Sequence, residues 1–301
     1  MATAVLLAAA LDRLVAEPPA RAHPVAWIGR AITRVDRRWT RPRLVGVAVA
    51  VLLPLSAAGL VGAGVAVAER AHPAVAAVAA GLVLFSATSR RLLLDTARGV
   101  TAASDADLDA ARTDLRALAG RDASTLSAAE VRSAAVESAA ENLADGLVAP
   151  LAAFALVAPL SLPLAAAGAT WVKTVNTLDS VLGYRSKPVG WASARLDDAV
   201  MWLPARASAV LVAVAAGRPG SLVAARREAR APASPNSGWP MATLAVVLGV
   251  RLEKPGHYAL DGGKGLPSVD DARRGVRVVG RAGLLAFGVA ACLPPGVRAW
   301  F

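Results

Sequence analysis

The chain alternates long stretches free of charge with shorter stretches that carry most of its Arg, Asp and Glu residues. Residues 44–68 contain no charged side chain, and about 20 apolar helical residues are enough to cross a membrane. Residues 74–89 form a second, shorter apolar run, and residues 69–73 make a polar turn between the two. The pattern predicts a transmembrane helical hairpin over residues 44–89, in which Pro54 is tolerated as proline is in membrane helices.

A third apolar stretch, residues 147–172, contains Pro159 and Pro163 near its middle. Proline removes a backbone donor and clashes with the preceding helical turn, so a helix break is expected there. Two half-depth helices would form a re-entrant segment, which keeps the flanking polar motifs on one side of the membrane. A single spanning helix, which would separate those motifs, remains the alternative.

Residues 90–146 are predicted to be a cytoplasmic helical segment. Apolar residues at Leu108, Ala111, Leu115 and Leu118 follow helical spacing. Ser127 precedes Glu130 by three residues, the register of a capping box. The expected architecture is thus an all-α, polytopic membrane domain over residues 1–301.

The last third of the chain is harder to assign. Residues 173–281 are expected to form site-bearing helices and loops. Residues 282–301 are expected to form a C-terminal apolar segment that is too short for a confident span.

Composition and charge agree with a membrane location. Hydrophobic residues make up 55% of the chain and mean hydropathy is +0.49, more apolar surface than one soluble core of typical composition buries. The net charge of +11 fits an anionic membrane face or an anionic substrate. Nucleic acid is not expected as a partner, because the Arg residues are scattered and no stacking aromatics lie among them.

The arginines also predict an orientation. Eight of them lie within residues 13–43, whereas the turn at residues 69–73 holds Arg70 alone. Cytoplasmic segments carry the excess of basic residues, so residues 1–43 are expected on the cytoplasmic side. The first basic residue, Arg13, follows the N-terminal apolar run, which argues for a mature N-terminus over a cleaved signal.

Three acidic residues are spaced to lie on one helical face. Glu137, Glu141 and Asp145 fall four residues apart, with Asn142 beside them. Like charges at this spacing repel, so a bound cation or an arginine cluster would account for the row. An ordinary solvated acidic face is the competing interpretation.

Two further polar clusters follow the third apolar stretch. Lys173, Asn176 and Ser180 share a helical face, with Asp179 adjacent, and could bind a substrate or only anchor the helix at the interface. Residues 191–198 contain Arg195 one turn before Asp198, where the two could simply pair. The adjacent Asp197 and Asp198 are also the type of ligand Mg²⁺ uses together with phosphates.

The remaining polar motifs are turns. Residues 234–240 form a turn made rigid by two prolines around Asn236. Residues 251–258 place Lys254, His257 and Tyr258 in one loop, where a structural role for the histidine is the commoner outcome. The sequence has no P-loop, HExxH motif or nucleophile elbow. The single cysteine, Cys292, lies in an apolar run and excludes an internal disulfide.

A set of short motifs follows in order along the chain: residues 11–13, 17–19, 23–25, 141–146, 148–150, 173–180, 183–185, 190–198, 204–206, 234–240 and 252–258. The order and the residues of these motifs resemble those of the adenosylcobinamide-phosphate synthases, integral membrane proteins of cobalamin biosynthesis. The resemblance covers roughly residues 11–260.

The resemblance implies a reaction. Adenosylcobyric acid would be joined through a propionate carboxylate to (R)-1-aminopropan-2-ol or its O-phosphate, with cleavage of ATP in the presence of Mg²⁺. The resemblance also implies a multi-pass protein of the bacterial inner membrane whose active site faces the cytoplasm. Other cobalamin-synthesis enzymes are conceivable partners, and homo-oligomerisation is left open.

Residue roles follow from the resemblance as hypotheses. The expected Mg²⁺ ligands are Glu141, Asp145, Asp197 and Asp198. Lys173, Arg185 and Arg195 would bind phosphate groups, whereas Asn176, Asp179 and Asn236 would orient the carboxyl and the amine. His257 or a carboxylate would accept the ammonium proton. Asn142, Ser180, Tyr184, Trp191 and Lys254 complete the expected substrate- and nucleotide-binding set.

Two rival functions remain. A transporter would be expected to place ionisable residues within its spans, whereas the two predicted hairpin spans contain none and the carboxylates are expected to cluster in loops. A non-catalytic scaffold for corrinoid enzymes would bind a corrinoid or a protein without turning over nucleotide.

Overall fold

A computed structural model describes residues 1–19, 21–120, 122–184 and 186–293. The first helices are α1 (Ala2–Val15), α2 (Pro24–Thr33), α3 (Pro42–Ala71), α4 (Pro73–Ala87), α5 (Arg91–Ala106), α6 (Leu108–Leu115) and α7 (Ala128–Leu143). A π-helical segment (Ala144–Val148) leads into α8 (Ala149–Val157), α9 (Leu162–Leu182), a 3₁₀ turn (Pro188–Gly190) and α10 (Trp191–Val200).

The later elements are α11 (Trp202–Ala215), α12 (Ser221–Ala225), a 3₁₀ turn (Glu228–Arg230), α13 (Gly238–Leu248), strands β1 (Arg251–Lys254) and β2 (Tyr258–Asp261), and α14 (Val269–Cys292).

The chain is a multi-pass helical membrane protein. Within the described residues, four helical stretches are long and apolar enough to cross a membrane: Pro42–Ala71, Pro73–Ala106, Ala128–Val157 and Val269–Cys292. A fifth results if Pro188–Val200 and Trp202–Ala215 form one bent span. The all-α, polytopic class predicted from the sequence is thereby confirmed.

Helices α3 and α4 are the two arms of the predicted hairpin at residues 44–89. They pack against each other, and Pro54 lies inside α3. Large apolar side chains on α3 are exposed, with Leu52 at 62% and Leu60 at 77% of full exposure. Such a surface is unfavourable in water and favourable against lipid acyl chains.

The chain divides into two compact units, where the sequence pattern predicted one domain. Among the described residues, the first comprises residues 1–89, 145–201 and 287–293, and the second comprises residues 90–144 and 202–286. In the first unit α9 is the central helix, because α2, α3, α4, α8 and α10 all pack against it. Its polar residues are therefore held within a bundle.

The break predicted within residues 147–172 is present. Helix α8 ends at Val157, and α9 begins at Leu162 after Ser161, whose hydroxyl oxygen accepts a hydrogen bond from the Leu164 N–H at 3.2 Å. The two helices pack against each other as a helical hairpin. Whether that hairpin is re-entrant stays a prediction.

One expectation about this region is wrong. The carboxylates were expected to cluster in loops, but Glu141 lies in α7 and Asp145 lies in the π-helical segment, within the stretch Ala128–Val157 that is apolar enough to cross a membrane. The first half of this stretch contains charged residues among many alanines. A search for runs without charge therefore recognises only the part that begins at residue 147.

In the second unit, α5, α6 and α7 form a small helical layer. Ala111 and Leu115 are buried in its core, with Leu108 and Leu118 packed against it, as the helical spacing predicted. The capping box is also present, since Ser127 Oγ accepts the Glu130 N–H at 3.3 Å while Glu130 Oε2 accepts the Ser127 N–H at 2.7 Å.

The predicted loop at residues 251–258 is instead part of an antiparallel hairpin. Strands β1 and β2 pair with Leu252 opposite Leu260 and Lys254 opposite Tyr258. Gly256 in the turn has φ 73°, a left-handed conformation that glycine adopts without steric cost. The strands are only four residues long, too short to show a clear alternation in the sequence.

The C-terminal apolar segment, predicted for residues 282–301, begins in the second half of a longer helix. Helix α14 already begins at Val269 and extends to Cys292. Its first half is amphipathic, with Val276 and Val279 buried among several arginines, so its apolar character is hidden in a charge-based scan. Residues 294–301 of the predicted segment lie outside the described residues.

Candidate active site

The acidic row on α7 does not act as one face. Glu137 is fully buried, and its carboxylate accepts hydrogen bonds from Ser133 Oγ at 2.8 Å and from Tyr258 Oη at 2.7 Å. Ser133 Oγ also accepts the backbone N–H of Glu253 at 2.8 Å. Glu137 therefore fastens the β-hairpin to α7 and is neither a solvated residue nor a candidate metal ligand.

Asp145 stands apart from that row because it lies in the π-helical segment. Segments of this kind often occur at functional sites in helices. The Asp145 carboxylate accepts a hydrogen bond from the Asn176 side chain and interacts electrostatically with Asp197, Lys173 and Asp179. The central helix α9 and the short helix α10 thus both contribute polar groups around Asp145.

Helix α9 presents Lys173, Asn176 and Asp179 three residues apart. The Lys173 ammonium interacts with Asp145 and also with Glu17, and Asn176 is buried. Ser180 lies at the exposed edge of this group, and its hydroxyl donates to the Asn176 carbonyl at 2.9 Å. The predicted polar face is therefore real, with its interior half inside the bundle and Ser180 at the rim.

Glu17 and His23 belong to this cluster, although the sequence patterns did not select them. His23 Nε2 lies 3.5 Å from Glu17 Oε2, and His23 Nδ1 accepts the Val25 N–H at 3.2 Å. Burial lowers the pKa of His23, an effect that the Glu17 charge opposes and the Lys173 charge reinforces. Their place in two of the ordered motifs was the signal that could have found them.

The backbone that carries Glu17 is strained. Ala16 has φ 70° and ψ −68°, and the Glu17 N–H donates to the Val15 carbonyl at 3.0 Å. This is a classical γ-turn, which is rare for a residue with a side chain. Strain of this kind persists where the surrounding structure fixes it and is frequent at functional sites.

Helix α10 supplies the remaining carboxylates. Arg195 Nη1 lies 3.6 Å from Asp198 Oδ2, so the pairing that the spacing allowed is confirmed. Asp198 also interacts with Asp179 on α9. Burial raises the pKa of Asp179 most, and the negative charge of Asp198 raises it further. Carboxylates from three segments thus influence one another around a single lysine.

Three glycines hold α10 against this cluster. A methyl group on Gly190 would fall 1.6 Å from the Leu182 carbonyl oxygen, and one on Gly46 would fall 2.1 Å from the Val189 carbonyl oxygen. A methyl group on Gly183 would collide with the Asp179 carboxylate. The connection from α9 to α10 therefore packs backbone against backbone, which sets where Asp197 and Asp198 lie.

Three other predicted residues lie in or beside this connection. Trp191 is half exposed, with the Arg43 guanidinium 6.0 Å from its ring centre. Tyr184 is half exposed, with Lys187 Nζ 5.1 Å from its ring centre. Arg185 lies outside the described residues.

The second unit holds the other predicted residues. Asn236 is buried, and its Oδ1 accepts a hydrogen bond from Arg206 Nη1 at 3.1 Å, while the Arg206 guanidinium lies between the Trp202 and Trp239 rings. Lys254 ends β1 and His257 is exposed in the hairpin turn.

Glu141 and Asn142 are half-buried on α7, where the Asn142 amide donates to the Ser138 carbonyl at 3.0 Å. The first unit by itself therefore assembles Asp145, Lys173, Asn176, Asp179, Asp197 and Asp198. Convergence of the second unit's residues on the same pocket stays a prediction.

The donor set is compatible with Mg²⁺ that arrives with a nucleotide. In the described part of the chain, no group of three or more His, Cys, Asp and Glu residues is placed to hold a metal ion. Mg²⁺ commonly takes only one or two protein carboxylates and completes its shell with phosphates and water. Asp145 and Asp197, which lie on different helices and interact, fit that pattern.

Comparison with known proteins places the chain in a family. The sequence profile described as CobD/Cbib protein matches residues 5–282. The chain belongs to the CobD/Cbib family. The profile covers the γ-turn, the π-helical segment and α9 alike, so the cluster around Lys173 lies wholly within the family region.

Curated CobD/Cbib relatives match along almost their whole length. A probable cobalamin biosynthesis protein CobD of Methanothrix thermoacetophila is 37% identical over 96% of this chain and 95% of its own. The cobalamin biosynthesis protein CobD of Klebsiella pneumoniae is 37% identical over the same shares. That of Mycobacterium tuberculosis is 38% identical over 91% of this chain and 90% of its own. No solved structure is similar to the chain.

Proposed function

We propose that this chain is an ATP-dependent amide ligase of cobalamin biosynthesis. It would join adenosylcobyric acid to (R)-1-aminopropan-2-ol or its O-phosphate and release adenosylcobinamide or its phosphate. The observation that supports this best is the arrangement of Lys173 among Asp145, Asp179 and Glu17 on and around the central helix. The curated relatives are named for cobalamin biosynthesis.

The chemistry explains the need for ATP. A carboxylate is a poor electrophile, and its oxygen is a poor leaving group. In the simplest route, a propionate oxygen attacks the γ-phosphorus of ATP, ADP leaves, and an acyl phosphate forms. The amine then attacks the acyl carbon, inorganic phosphate leaves, and one ammonium proton goes to a base.

The cluster contains groups suited to these steps. Lys173 would bind phosphate oxygens and neutralise the charge that develops on the transferred group. Asp145 and Asp197 would hold Mg²⁺, which when bound supplies further charge neutralisation. Asn176, already hydrogen-bonded to Asp145, would keep that carboxylate in a fixed orientation, and Arg195 would bind phosphate by paired hydrogen bonds.

His23 is the histidine that lies in the cluster, next to Glu17. Its Nδ1 accepts a backbone N–H, so in the neutral ring the proton lies on Nε2, beside Glu17. Protonation of Nδ1 would break that backbone bond, whereas the Glu17 carboxylate stabilises the charged ring. Neither ring nitrogen of neutral His23 is therefore available to accept the ammonium proton, and a carboxylate of the cluster is the better candidate for that base. His257, by contrast, is exposed at the tip of the hairpin.

The location proposed is the bacterial inner membrane, with the site on the cytoplasmic side. Residues 13–43, which include Glu17 and His23, carry eight arginines, whereas residues 69–73, between the two apolar runs, contain Arg70 alone. The excess of basic residues marks the cytoplasmic side. ATP is available there.

A transporter keeps one argument in its favour. Glu141 and Asp145 lie in a stretch apolar enough to span, and intramembrane carboxylates often mark transport pathways. A scaffold that only binds a corrinoid would not need the cluster around Lys173.

Product formation in detergent separates the three functions. Purified protein is incubated with adenosylcobyric acid, ATP, Mg²⁺ and either amine, and the products are analysed by mass. We expect an amide product and stoichiometric ADP without any vesicle. Corrinoid binding without ADP formation would favour the scaffold, and vesicle-dependent uptake without a product would favour the transporter.

A further inference from the structure

A cleft of about 440 Å³ opens in the first unit, beside the N-terminus of α3. Its walls come from residues 36–39, Pro42 and residues 186–189, and they include Arg37, Arg38, Trp39 and Lys187. A volume of this size is sufficient for a small ligand. The residues proposed above for the reaction do not line it.

Some of the positive charges in the cleft are paired with a carboxylate and others are not. Lys187 Nζ donates to Asp36 Oδ2 at 2.6 Å and to the Val181 carbonyl at 3.0 Å, so these two charged side chains neutralise each other. Among the described residues, neither Arg37 nor Arg38 forms an ion pair. Two guanidinium groups therefore remain without a counter-charge.

One of these guanidinium groups is held in place. The Arg37 guanidinium lies 4.1 Å from the Trp39 ring centre, and the Trp39 Nε1–H donates to the Val35 carbonyl at 3.0 Å. A guanidinium stacked on an aromatic ring can still donate its N–H groups to an anion, because those groups lie in the guanidinium plane. The contact with Trp39 therefore restrains Arg37 at the wall of the cleft.

The adjacent helix end adds to the positive potential. The first turn of α3, which is fully described, contains no acidic residue, and Arg41 at its N-cap makes no capping hydrogen bond. The N-terminus of a helix carries a partial positive charge and unsatisfied N–H groups. Arginines at this position are unfavourable unless an anion lies nearby.

We propose that this cleft binds a phosphate group, contributed either by an anionic lipid headgroup or by a free phosphate compound. Arg37 and Arg38 would donate to the phosphate oxygens, with bidentate geometry available to each. The N-terminus of α3 would add to the positive potential. The site is separate from the cluster around Lys173 and does not depend on the proposed ligase reaction.

The test compares two double variants with the same loss of charge. Arg37→Gln/Arg38→Gln changes the cleft, whereas Arg30→Gln/Arg34→Gln removes two exposed arginines of the same segment that do not line it. Circular dichroism establishes that both retain the helical content of the unaltered protein. One arm titrates inorganic pyrophosphate into detergent-solubilised protein by calorimetry. The other measures phosphatidylglycerol retained from mixed nanodiscs by native mass spectrometry.

We expect the cleft variant to bind pyrophosphate at least tenfold more weakly, or to lose its retained phosphatidylglycerol, while the control variant matches the unaltered protein. Loss in the first arm alone identifies a free phosphate compound as the ligand, and loss in the second arm alone identifies a lipid. Equal behaviour of the two variants in both arms would overturn the proposal.

Discussion

The imidazole Nε2 of His23 lies 3.5 Å from the Glu17 carboxylate, and both residues follow the γ-turn at Ala16. The carboxylate is therefore positioned to favour the protonated imidazole, whereas burial and Lys173 oppose it. Because burial is the largest of these effects, the folded protein holds His23 neutral at a pH where an exposed histidine is already charged.

The titration of His23 tests this relationship. Its pKa is expected below the ordinary 6.5, and Glu17→Gln should lower it further, because the carboxylate charge raises it. The chain has three histidines, so carbon-13 labelling of the imidazoles gives three NMR signals, which His72→Gln and His257→Gln assign. A pKa of His23 that rises in Glu17→Gln would contradict the arrangement.

The same shift makes a prediction about stability. Below pH 6.5 the unfolded chain binds a proton at this position more readily than the folded chain. The contribution of neutral His23 is therefore complete above that pH and is lost as the pH falls towards the lowered folded-state pKa. Thermal midpoints measured from pH 7.5 to 5.5 should fall less in His23→Gln than in the unaltered protein.

Tyr258 is predicted to stabilise the second unit through Glu137. Tyr258→Phe removes the 2.7 Å hydrogen bond to this buried carboxylate, and loss of a partner by a buried polar group costs about 1–3 kcal/mol. We expect a lower thermal midpoint in detergent. Tyr184→Phe, which alters the only other tyrosine at a half-exposed position, serves as the control. Equal midpoints for the two variants would show that the bond contributes nothing.

Gly46 is predicted to tolerate no side chain, unlike Gly64 in the same helix. A methyl group on Gly46 would fall 2.1 Å from the Val189 carbonyl oxygen, whereas one on Gly64 would meet nothing within 4 Å. Gly46→Ala should lower the free energy of unfolding by about 1–3 kcal/mol, as overpacking does. Gly64→Ala should leave stability unchanged or raise it by up to about 1 kcal/mol. Thermal or denaturant unfolding distinguishes the two, and equal stabilities would refute the close packing.

Local patterns in the sequence predicted the local structure well. The apolar runs at residues 44–68 and 74–89 correspond to α3 and α4, Ser127 and Glu130 form their capping box, and Arg195 pairs with Asp198. Each of these depends on residues close along the chain. Hydropathy and helical spacing report directly on such neighbours.

Features made by distant residues were not predictable in this way. In the sequence Glu137 is one of three evenly spaced acidic residues, and only the packing of Tyr258, 121 residues later, distinguishes it from Asp145. The approach of Glu17 and His23 to Lys173 likewise depends on the bundle. The sequence pattern indicates which polar residues could belong to a site, but tertiary packing determines which of them lie close together.

The central claim is that the Lys173 cluster performs the ligation. The most direct measurement is the rate of amide formation by purified Lys173→Ala and Asp198→Ala, compared with Lys264→Ala and Asp114→Ala, which remove the same charges at exposed positions. Unchanged circular dichroism establishes folding. We expect a loss of about 10²-fold or more in the first pair, as for removal of a group that stabilises transition-state charge, and near-normal rates in the second. Normal rates in the first pair would contradict it.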